Sequence, residues 1–289
     1  MPLSTADNRG IVEMIDLHAH ILSGLDDGAE TLEESIQMCW ISHRDGVRAI
    51  VATPHTLNGL YTNDRETILT KVQELNEAIR ELGVRSSELG VQNPQSRMGS
   101  FSSMNSAIRI PHLELRILPG ADVRFCEGIL LQLDQGKVMT IGDGGRFLSV
   151  EFPSQGIPYR AEEVLFQLMA RGIIPIISHP ERNLEVVERP KRYYEMIKMG
   201  CLGQVTAMSL TGRFGHGVRR VVEKLIKKRL VHFIASDAHS INGRPPILSE
   251  ALREAERMVG KEEARKMVSD YPRAILDGRR PDVPDPIPP

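Results

Sequence analysis

The sequence predicts an α/β fold in which parallel strands and connecting helices form a β/α barrel. Short apolar runs alternate with amphipathic helical patterns over most of the chain, and this alternation is typical of a parallel sheet with crossover helices. The runs are rich in β-branched residues and apolar almost throughout, as expected of strands that are covered on both faces. The seven predicted strands are residues 14–20, 48–55, 115–122, 147–153, 173–180, 202–208 and 231–239.

Helical patterns fill most of the segments between these strands. In the first of them, Leu32, Ile36, Cys39 and His43 recur at helical spacing. The predicted helices are residues 31–44, 64–82, 161–171, 190–199 and 218–229, followed after the last strand by 247–258 and 262–269. Because the alternation covers most of the chain, we expect residues 1–280 to form a single domain.

Two segments depart from this pattern. Residues 83–112 are rich in Ser, Asn, Gly and Gln, which predicts a flexible insertion between a helix and a strand. Residues 281–289 are rich in proline, which predicts an extended or disordered tail.

The composition excludes several classes of protein. The chain has 289 residues and a formal net charge of −2, which indicates neither a nucleic-acid-binding groove nor a membrane-binding face. Its three cysteines, Cys39, Cys126 and Cys201, form no CxxC pair, so neither a disulfide framework nor a thiolate zinc site is indicated. The sequence has no signal-peptide pattern and no apolar run long enough to span a bilayer, which predicts a cytoplasmic protein.

The residues able to carry chemistry stand where the predicted strands end. Only the sixth strand, residues 202–208, lacks such a group. The carboxyl ends of barrel strands meet at one rim, where active sites are built, so we expect these side chains to lie together. His18 and His20 are two apart on one strand and therefore point to the same side. The eight candidates are His18, His20, His55, Asp122, Glu151, His179, Asp237 and His239.

The mixture of imidazole and carboxylate groups indicates which metals the site would take. Such a set suits Mn, Fe or Zn. Eight candidate ligands are too many for one tetrahedral ion, so we infer two or three ions. Paired ions clamp a phosphate and lower the pKa of the water they bind towards ~7. The pattern therefore predicts hydrolysis of a phosphate ester by metal-bound hydroxide, without a covalent enzyme intermediate.

Some residues near the strand ends have a plainer interpretation. A single histidine at a strand end is more often structural than a ligand, and only the repetition over successive strands favours a metal site. Asp26 and Asp27 fit a turn before the next helix, but we favour one of them as a ligand because their loop lies on the rim. Four histidines lack this placement and are interpreted as surface or core residues: His43, His112, His216 and His232.

Two arginines follow strands on the same rim. Arg182 comes after the fifth strand and Arg244 after the seventh, both in loops. Either could be an ordinary solvated charge, but beside a metal site a planar guanidinium can hold two phosphate oxygens. We therefore interpret both as phosphate-binding residues.

Together these motifs resemble those of the polymerase and histidinol phosphatase (PHP) superfamily. Within it, the chain is similar to the bacterial manganese-dependent tyrosine-protein phosphatases of capsular and exopolysaccharide gene clusters. The resemblance extends from Met14 to about Leu252, and the linked set is specific, whereas an HxH pair alone is weak. The matching segments are MIDLHAHILSGLDDGAETLEES, VATPHTLNGLY, ILPGADVRF, SVEFP, IPIISHPERN, QVTAMSLTGRFG and HFIASDAHSINGRPP.

The resemblance implies a distorted seven-stranded, TIM-like barrel with a trinuclear metal site at the carboxyl ends of the strands. Manganese is the expected metal, with Fe or Zn as alternatives. Arg182 and Arg244 would bind phosphate, and Asp237 would take part in catalysis as well as in metal binding. The implied ligands are His18, His20, Asp27, His55, Asp122, Glu151, His179, Asp237 and His239.

Two features depart from the pattern of that family. It usually has Glu where this chain has Asp122, whose side chain is one methylene shorter, and this difference could weaken one ion or change the preferred metal. Residues 83–112 are also longer than usual, which bears on substrate access or assembly.

The resemblance implies an enzyme that hydrolyses phosphotyrosine in a protein, expected to be a tyrosine kinase of polysaccharide export. Two alternatives stay open: a phosphatase for small esters such as histidinol phosphate, and a metal-binding module with weak activity. Amidohydrolase chemistry also fits an HxH pair on a first strand, but the second arginine loop favours phosphate.

A thiol mechanism is not indicated. Thiol-dependent tyrosine phosphatases resemble one another in a Cys-x5-Arg loop. The residues six positions after the three cysteines are Asp45, Gln132 and Ala207, so none of the cysteines fits that pattern.

Overall fold

Strands alternate with helices in the computed structural model, which describes residues 12–88 and 114–289. The strands in these ranges are β1 (Met14–Ala19), β2 (Val47–Ala52), β3 (His55–Thr56), β4 (Arg116–Pro119), β5 (Asp122–Arg124), β6 (Phe147–Glu151), β7 (Ile174–Ser178), β8 (Leu202–Thr206) and β9 (Phe233–Ala235). The α-helices are α1 (Leu32–Arg44), α2 (Arg65–Glu88), α3 (Ile129–Asp134), α4 (Ala161–Ala170), α5 (Leu184–Glu188), α6 (Lys191–Met199), α7 (Ala207–Leu210), α8 (His216–Lys227), α9 (Ser249–Val259), α10 (Lys261–Val268) and α11 (Asp270–Leu276). Short 3-10 helices cover Ile141–Asp143 and Pro180–Arg182.

The strands form two parallel sheets. The first has the order β1-β2-β4, and the second has the order β3-β5-β6-β7-β8-β9. Every pairing between neighbouring strands is parallel. The predicted α/β class with parallel strands is therefore confirmed, whereas the hydrogen-bonded ladders of the described residues do not form one closed ring.

Each of the seven predicted strands corresponds to a strand of the structure, but two of them are divided. The predicted strand 48–55 is split into β2 and β3 at Thr53 and Pro54, and a proline has no N–H to donate to a ladder. The predicted strand 115–122 is split into β4 and β5 at Gly120, where an added Cβ would lie 2.5 Å from Val51 Cγ1. The chain thus passes from one sheet to the other at two neighbouring points.

The first and last strands also meet. Ala19 pairs with Ala238 in an isolated parallel bridge, and the N–H of His20 donates to the carbonyl of Ala238 at 2.8 Å. The N–H of Asp237 donates to the carbonyl of His18 at 2.8 Å. These bonds join the segment after β9 to the end of β1.

Buried side chains form two core clusters on opposite faces of the strands. On β2, Ala49 and Val51 belong to the smaller cluster, whereas Ile50 and Ala52 belong to the larger one. The smaller cluster also holds residues from α11 and from the 3-10 helix 141–143. The strands are therefore covered on both faces, as their apolar sequences predict.

The structure corrects several helix boundaries. Helix α2 continues to Glu88, so the beginning of the predicted insertion 83–112 is helical, and the rest of that insertion lies outside the described residues. The short helices α3, α5, α7 and α11 were not predicted. The tail 281–289 has no helix or strand, but the N–H of Ile287 donates to the carbonyl of Lys228 at 2.9 Å. In the described part of the chain, no helix has the length and apolar character that a membrane crossing needs.

Candidate metal centre

The predicted ligands come together at the carboxyl ends of the strands. His18 lies near the end of β1, His55 and Asp122 begin β3 and β5, and Glu151 ends β6. The remaining ligands lie in the loops that follow β1, β7 and β9, namely His20, Asp27, His179, Asp237 and His239. The arrangement is the one expected of a site at the rim of parallel strands.

Their ligand atoms form three overlapping groups, within each of which all atoms lie within 4.8 Å of one another. His20 is shared by the first and second groups, and His55 is shared by the first and third, so the three groups are contiguous. The groups are His20, Asp27, His55 and His239, then His18, His20 and Asp237, and lastly His55, Asp122 and Glu151.

His179 is the one predicted ligand outside these groups. Its Nε2 lies 3.9 Å from Asp122 Oδ2 and 3.9 Å from Glu151 Oε1. It therefore borders the third group, on the side that faces the loop of Arg182.

The residues present fit a group of divalent ions. His55 Nδ1 and Asp122 Oδ2 are buried without a hydrogen-bond partner, and buried polar atoms of this kind call for a ligand. The Nε2 atoms of His18 and His20 lie only 3.1 Å apart, where an ion could take the lone pair of either ring. Imidazole nitrogens and carboxylate oxygens are the donors that Mn, Fe and Zn accept.

Partners behind the ligands fix the orientation of the imidazole rings. His20 Nδ1 lies 2.6 Å from Asp26 Oδ2, and His18 Nδ1 lies 2.9 Å from Gln204 Oε1. These bonds leave Nε2 of each ring facing the site, as is usual for metal-binding histidines. Of the two adjacent acids, Asp27 is thus the one among the ligand atoms, and Asp26 supports a ligand.

Gln204 corrects the expectation that the sixth strand contributes nothing. It lies in β8, it is buried, and its carbonyl oxygen meets His18. An amide side chain inside a strand that the sequence predicts to be covered on both faces is the signal that could have indicated this role. A second buried residue was also missed: Asp16 Oδ1 accepts hydrogen bonds from the backbone N–H groups of His18 and Ser236.

Asp122 is fixed by hydroxyl groups of the neighbouring strands. Its Oδ1 accepts hydrogen bonds from Ser149 Oγ at 3.1 Å and from Ser178 Oγ at 2.9 Å. Its Oδ2 lies 3.4 Å from His55 Nδ1 and 3.9 Å from His18 Nε2. One oxygen is therefore held by the protein, while the other faces the ligand cluster.

Burial and charge act in opposite directions on the titration of the ligands. Burial lowers the pKa of His18 to about 4, although Asp122 and Asp237 oppose it. Burial acts in the same direction on His20, but Asp26 and Asp237 outweigh it and raise its pKa to about 10. The lowered pKa of His18 favours the neutral ring that a metal binds, whereas an ion at His20 would displace a proton.

Both predicted arginines lie against Asp237, one of the candidate metal ligands. Arg182 Nη2 and Arg244 Nη2 are each 2.6 Å from Asp237 Oδ2. Asp237 Oδ1 lies 3.6 Å from His18 Nε2 and 3.5 Å from His20 Nε2. One carboxylate thus separates the ligand cluster from the two guanidinium groups, and Arg182 further reaches the Thr206 hydroxyl at 3.2 Å.

The comparison with known proteins decides the family. A family model described as capsular polysaccharide synthesis, CpsB/CapC, matches residues 14–90 and 85–277. The chain belongs to the CpsB/CapC family. The resemblance inferred from the sequence motifs is confirmed by this match.

Individual CpsB/CapC relatives are similar in sequence to this chain over most of their length. CapC of Staphylococcus aureus is 35% identical over 243 residues, which cover 83% of each chain. The tyrosine-protein phosphatase YwqE of Bacillus subtilis is 32% identical over 249 residues, which cover 86% of each chain. Crystal structures of YwqE from Bacillus subtilis and CpsB from Streptococcus pneumoniae are described as those of unique metal-dependent tyrosine phosphatases. One chain from them superposes with a TM-score of 0.82 and 30% identity, covering 96% of this chain and 99% of that one.

A third arginine, which was not predicted, lies at the candidate metal centre of this CpsB/CapC chain. Arg124, at the end of β5, places Nη1 3.1 Å from Glu151 Oε2. It lines a cavity of about 160 Å³ together with Glu151, His179 and Arg182. This cavity opens beside the third ligand group.

The histidines interpreted as surface or core residues lie apart from the candidate ligands, where the structure describes them. His232 Nδ1 accepts a hydrogen bond from the backbone N–H of Gly203 at 3.0 Å, and His43 lies 3.5 Å from Arg48 Nη1. His216 is exposed at the start of α8. His112 lies outside the described residues.

Proposed function

We propose that this chain is a metal-dependent phosphatase that hydrolyses phosphotyrosine in proteins. One observation carries this proposal. The three candidate ligand groups overlap, and Asp237, a member of one of them, also contacts both Arg182 and Arg244. The names of its relatives support it, since YwqE and CpsB are called tyrosine-protein phosphatases.

The candidate ligands are proposed to hold the metal ions. The three ligand groups would hold two or three divalent ions, with manganese as the proposed metal and Fe or Zn as alternatives. Bound ions of this kind lower the pKa of a coordinated water towards ~7 and offset the charge of phosphate oxygens. His179, beside Asp122 and Glu151, is proposed to complete the nine-residue ligand set.

Arg182 and Arg244 are proposed to bind the phosphate. Their planar guanidinium groups can each donate two parallel hydrogen bonds to phosphate oxygens. Asp237 contacts both arginines and is itself a proposed ligand, so the arginines lie beside the proposed ions. A phosphate held by these arginines would lie beside the ligand cluster.

We also propose that the two sheets are parts of one distorted seven-stranded barrel within a single domain of residues 1–280. In support of this, β2 leads into β3 and β4 leads into β5 across short breaks, and the residues after β9 are hydrogen-bonded to β1. The proline-rich tail 281–289 would then lie outside the domain, against its surface.

The physiological partner is proposed to be a phosphorylated tyrosine kinase of polysaccharide export in the cytoplasm. The description of the CpsB/CapC family names capsular polysaccharide synthesis, and this supports a substrate from that process. The three free cysteines of the chain suit a reducing compartment.

The test compares one ligand with a histidine outside the site. His55→Ala should lower turnover of phosphotyrosine peptides by orders of magnitude, because His55 belongs to two ligand groups. His216→Ala, at an exposed position, is the matched control and should keep wild-type turnover. EDTA should abolish activity and manganese should restore it.

The choice of substrate decides between the remaining alternatives. Phosphotyrosine peptides, phosphoserine peptides and histidinol phosphate should be compared at the same enzyme and metal concentrations. Faster turnover of histidinol phosphate would replace the proposed substrate by a small ester. Full activity of the metal-free protein would contradict the whole proposal.

A further inference from the structure

Phe214 lies on the same rim, in the segment between α7 and α8. Gly212 and Gly215 on either side adopt positive φ angles of 82° and 97°, which favour glycine. The N–H of Arg213 donates to the carbonyl of Met208 at 3.0 Å, and that of Gly215 to the carbonyl of Gly212 at 2.9 Å. Within the turn formed by residues 211–215, the position of Phe214 is therefore defined by the backbone.

The ring of Phe214 faces both arginines. The Cζ atom of Arg182 lies 4.7 Å from the ring centroid, and that of Arg244 lies 6.0 Å from it. Both distances are within the range in which the negative face of an aromatic ring attracts a cation. Phe214 is half-buried, so part of the ring is open to the rim.

The arginines otherwise share one acceptor. Their Nη2 atoms approach the same oxygen, Asp237 Oδ2, at 2.6 Å each. Two like charges converge there, and the carboxylate competes with a phosphate for the Nη2 group of each guanidinium. A ring holds the guanidinium by its face instead and leaves its N–H edges free.

We propose that Phe214 is a positioning residue that holds Arg182 and Arg244 in place for an incoming phosphate. The inference rests on the proposed role of the two arginines as phosphate-binding residues. When phosphate replaces Asp237 Oδ2 as their acceptor, the ring keeps the two guanidinium groups together and offsets part of their repulsion. Phe214 itself donates no hydrogen bond to the substrate.

The test removes the ring and keeps its apolar bulk. Phe214→Leu should weaken inhibition by inorganic phosphate, and raise KM for a phosphotyrosine peptide, by about tenfold, the factor expected for losing partly desolvated cation–π contacts. Metal content should stay at the wild-type value, because Phe214 is in none of the ligand groups. Phe214→Trp should restore phosphate affinity, since tryptophan provides the stronger π-face.

Phe166→Leu is the matched control. Phe166 lies on α4 with 58% of its surface exposed, and within the described residues its ring lies under no arginine. This variant should keep the wild-type phosphate affinity. The inference is wrong if Phe214→Leu does the same, or if Phe214→Leu loses metal and Phe214→Trp fails to restore phosphate binding.

A double variant tests the role of Phe214 separately from the proposed phosphate binding by Arg182 and Arg244. In the Arg182→Ala/Arg244→Ala background, Phe214→Leu should have no further effect on phosphate inhibition, because its action passes through the arginines. A persistent tenfold effect would show that Phe214 acts by another route and would overturn the inference alone. If instead the arginine variant keeps wild-type phosphate affinity, the phosphate role of the arginines fails first.

Discussion

At the scale of single residues, Asp26 and Asp27 are neighbours with different surroundings. The Asp26 side chain is almost fully buried, and its Oδ2 accepts from the backbone N–H of His55 as well as meeting His20. The side chain of Asp27 is 55% exposed, and its Oδ1 lies 3.6 Å from Nε2 of both His55 and His239. One acid therefore stabilises the framework, whereas the other is available to an ion.

Replacing each acid by its amide should separate these two roles. Asp27→Asn should lower metal content and turnover with little change in Tm, because it alters an exposed candidate ligand. Asp26→Asn should lower Tm instead, since a charge-assisted hydrogen bond to a buried ring contributes about 1.5–3 kcal/mol. Metal analysis and thermal unfolding of both variants would check this. Reversed results would exchange the roles assigned here.

Asp122 is a fully buried candidate ligand whose carboxylate reaches histidines from three segments of the chain. Asp122→Ala should lower metal content and turnover, because it removes an oxygen that faces three histidines. Asp122→Glu should keep metal but lose about 1–3 kcal/mol of stability, since the extra methylene enters a fully buried position. Metal analysis and denaturant unfolding measure the two effects. Equal metal content in both variants would show that Asp122 is not a ligand.

The clustering of the candidate ligands could be predicted from the sequence, but most of their supporting partners could not. His and acidic residues at strand ends are recognisable by type and position. The position of Gln204 in a covered strand marks it as unusual, but the sequence does not show that its partner is His18, 186 positions away. Arg124 was missed for a similar reason, because an arginine two residues after Asp122 resembles any solvated charge until Glu151 is placed beside it.

At the scale of elements, a close approach of two backbone segments positions the loop after β1. A Cβ added to Gly28 would lie 2.1 Å from the carbonyl oxygen of His20 and 2.7 Å from its Cβ. The N–H of Gly28 also donates to Asp26 Oδ1 at 3.0 Å. The loop can return against β1, with Asp26 and Asp27 at the site, only if this position has no side chain.

Gly28→Ala should therefore lower both stability and metal content. We expect a loss of about 1–3 kcal/mol in the free energy of unfolding, as for other overpacked sites. Gly128→Ala is the control, because Gly128 has an ordinary φ of −80° and no atom within 4 Å of an added Cβ. Denaturant unfolding and metal analysis measure both. A Gly28→Ala protein with wild-type metal content would show that the loop tolerates displacement.

The elements themselves were predicted to different degrees. All seven apolar runs are strands, because covered strands have a clear composition. The breaks at Pro54 and Gly120 depend on which strand lies alongside, which the sequence does not state. Helices as short as α5 and α7 have too few residues to show a periodic pattern.

At the scale of the whole molecule, the chemistry should depend on metal and not on thiols. Cys39 and Cys201 are buried, and burial raises the pKa of both thiols, that of Cys201 to about 12. Such thiols are poor nucleophiles. A variant with Cys39, Cys126 and Cys201 all changed to Ser or Ala should keep its turnover.

Two reagents extend this comparison to the unmodified enzyme. Iodoacetamide should leave activity intact, whereas a chelator should abolish it and lower Tm, because bound ions stabilise the folded state by mass action. Activity assays and thermal unfolding with each reagent measure the outcome. A trapped phosphocysteine, or a folded triple variant without activity, would exclude the metal mechanism.

The contact between β1 and the segment after β9 has a consequence for the order in which the site is assembled during synthesis. Asp16 and Ser236, which are hydrogen-bonded in the finished protein, stand 220 positions apart, and closing so long a loop is slow. Two of the three ligand groups include Asp237 or His239, whereas the group of His55, Asp122 and Glu151 is complete once residue 151 has been made. Before residue 237 has been made, a nascent chain can therefore assemble only the group of His55, Asp122 and Glu151. The other two groups form when translation is nearly finished.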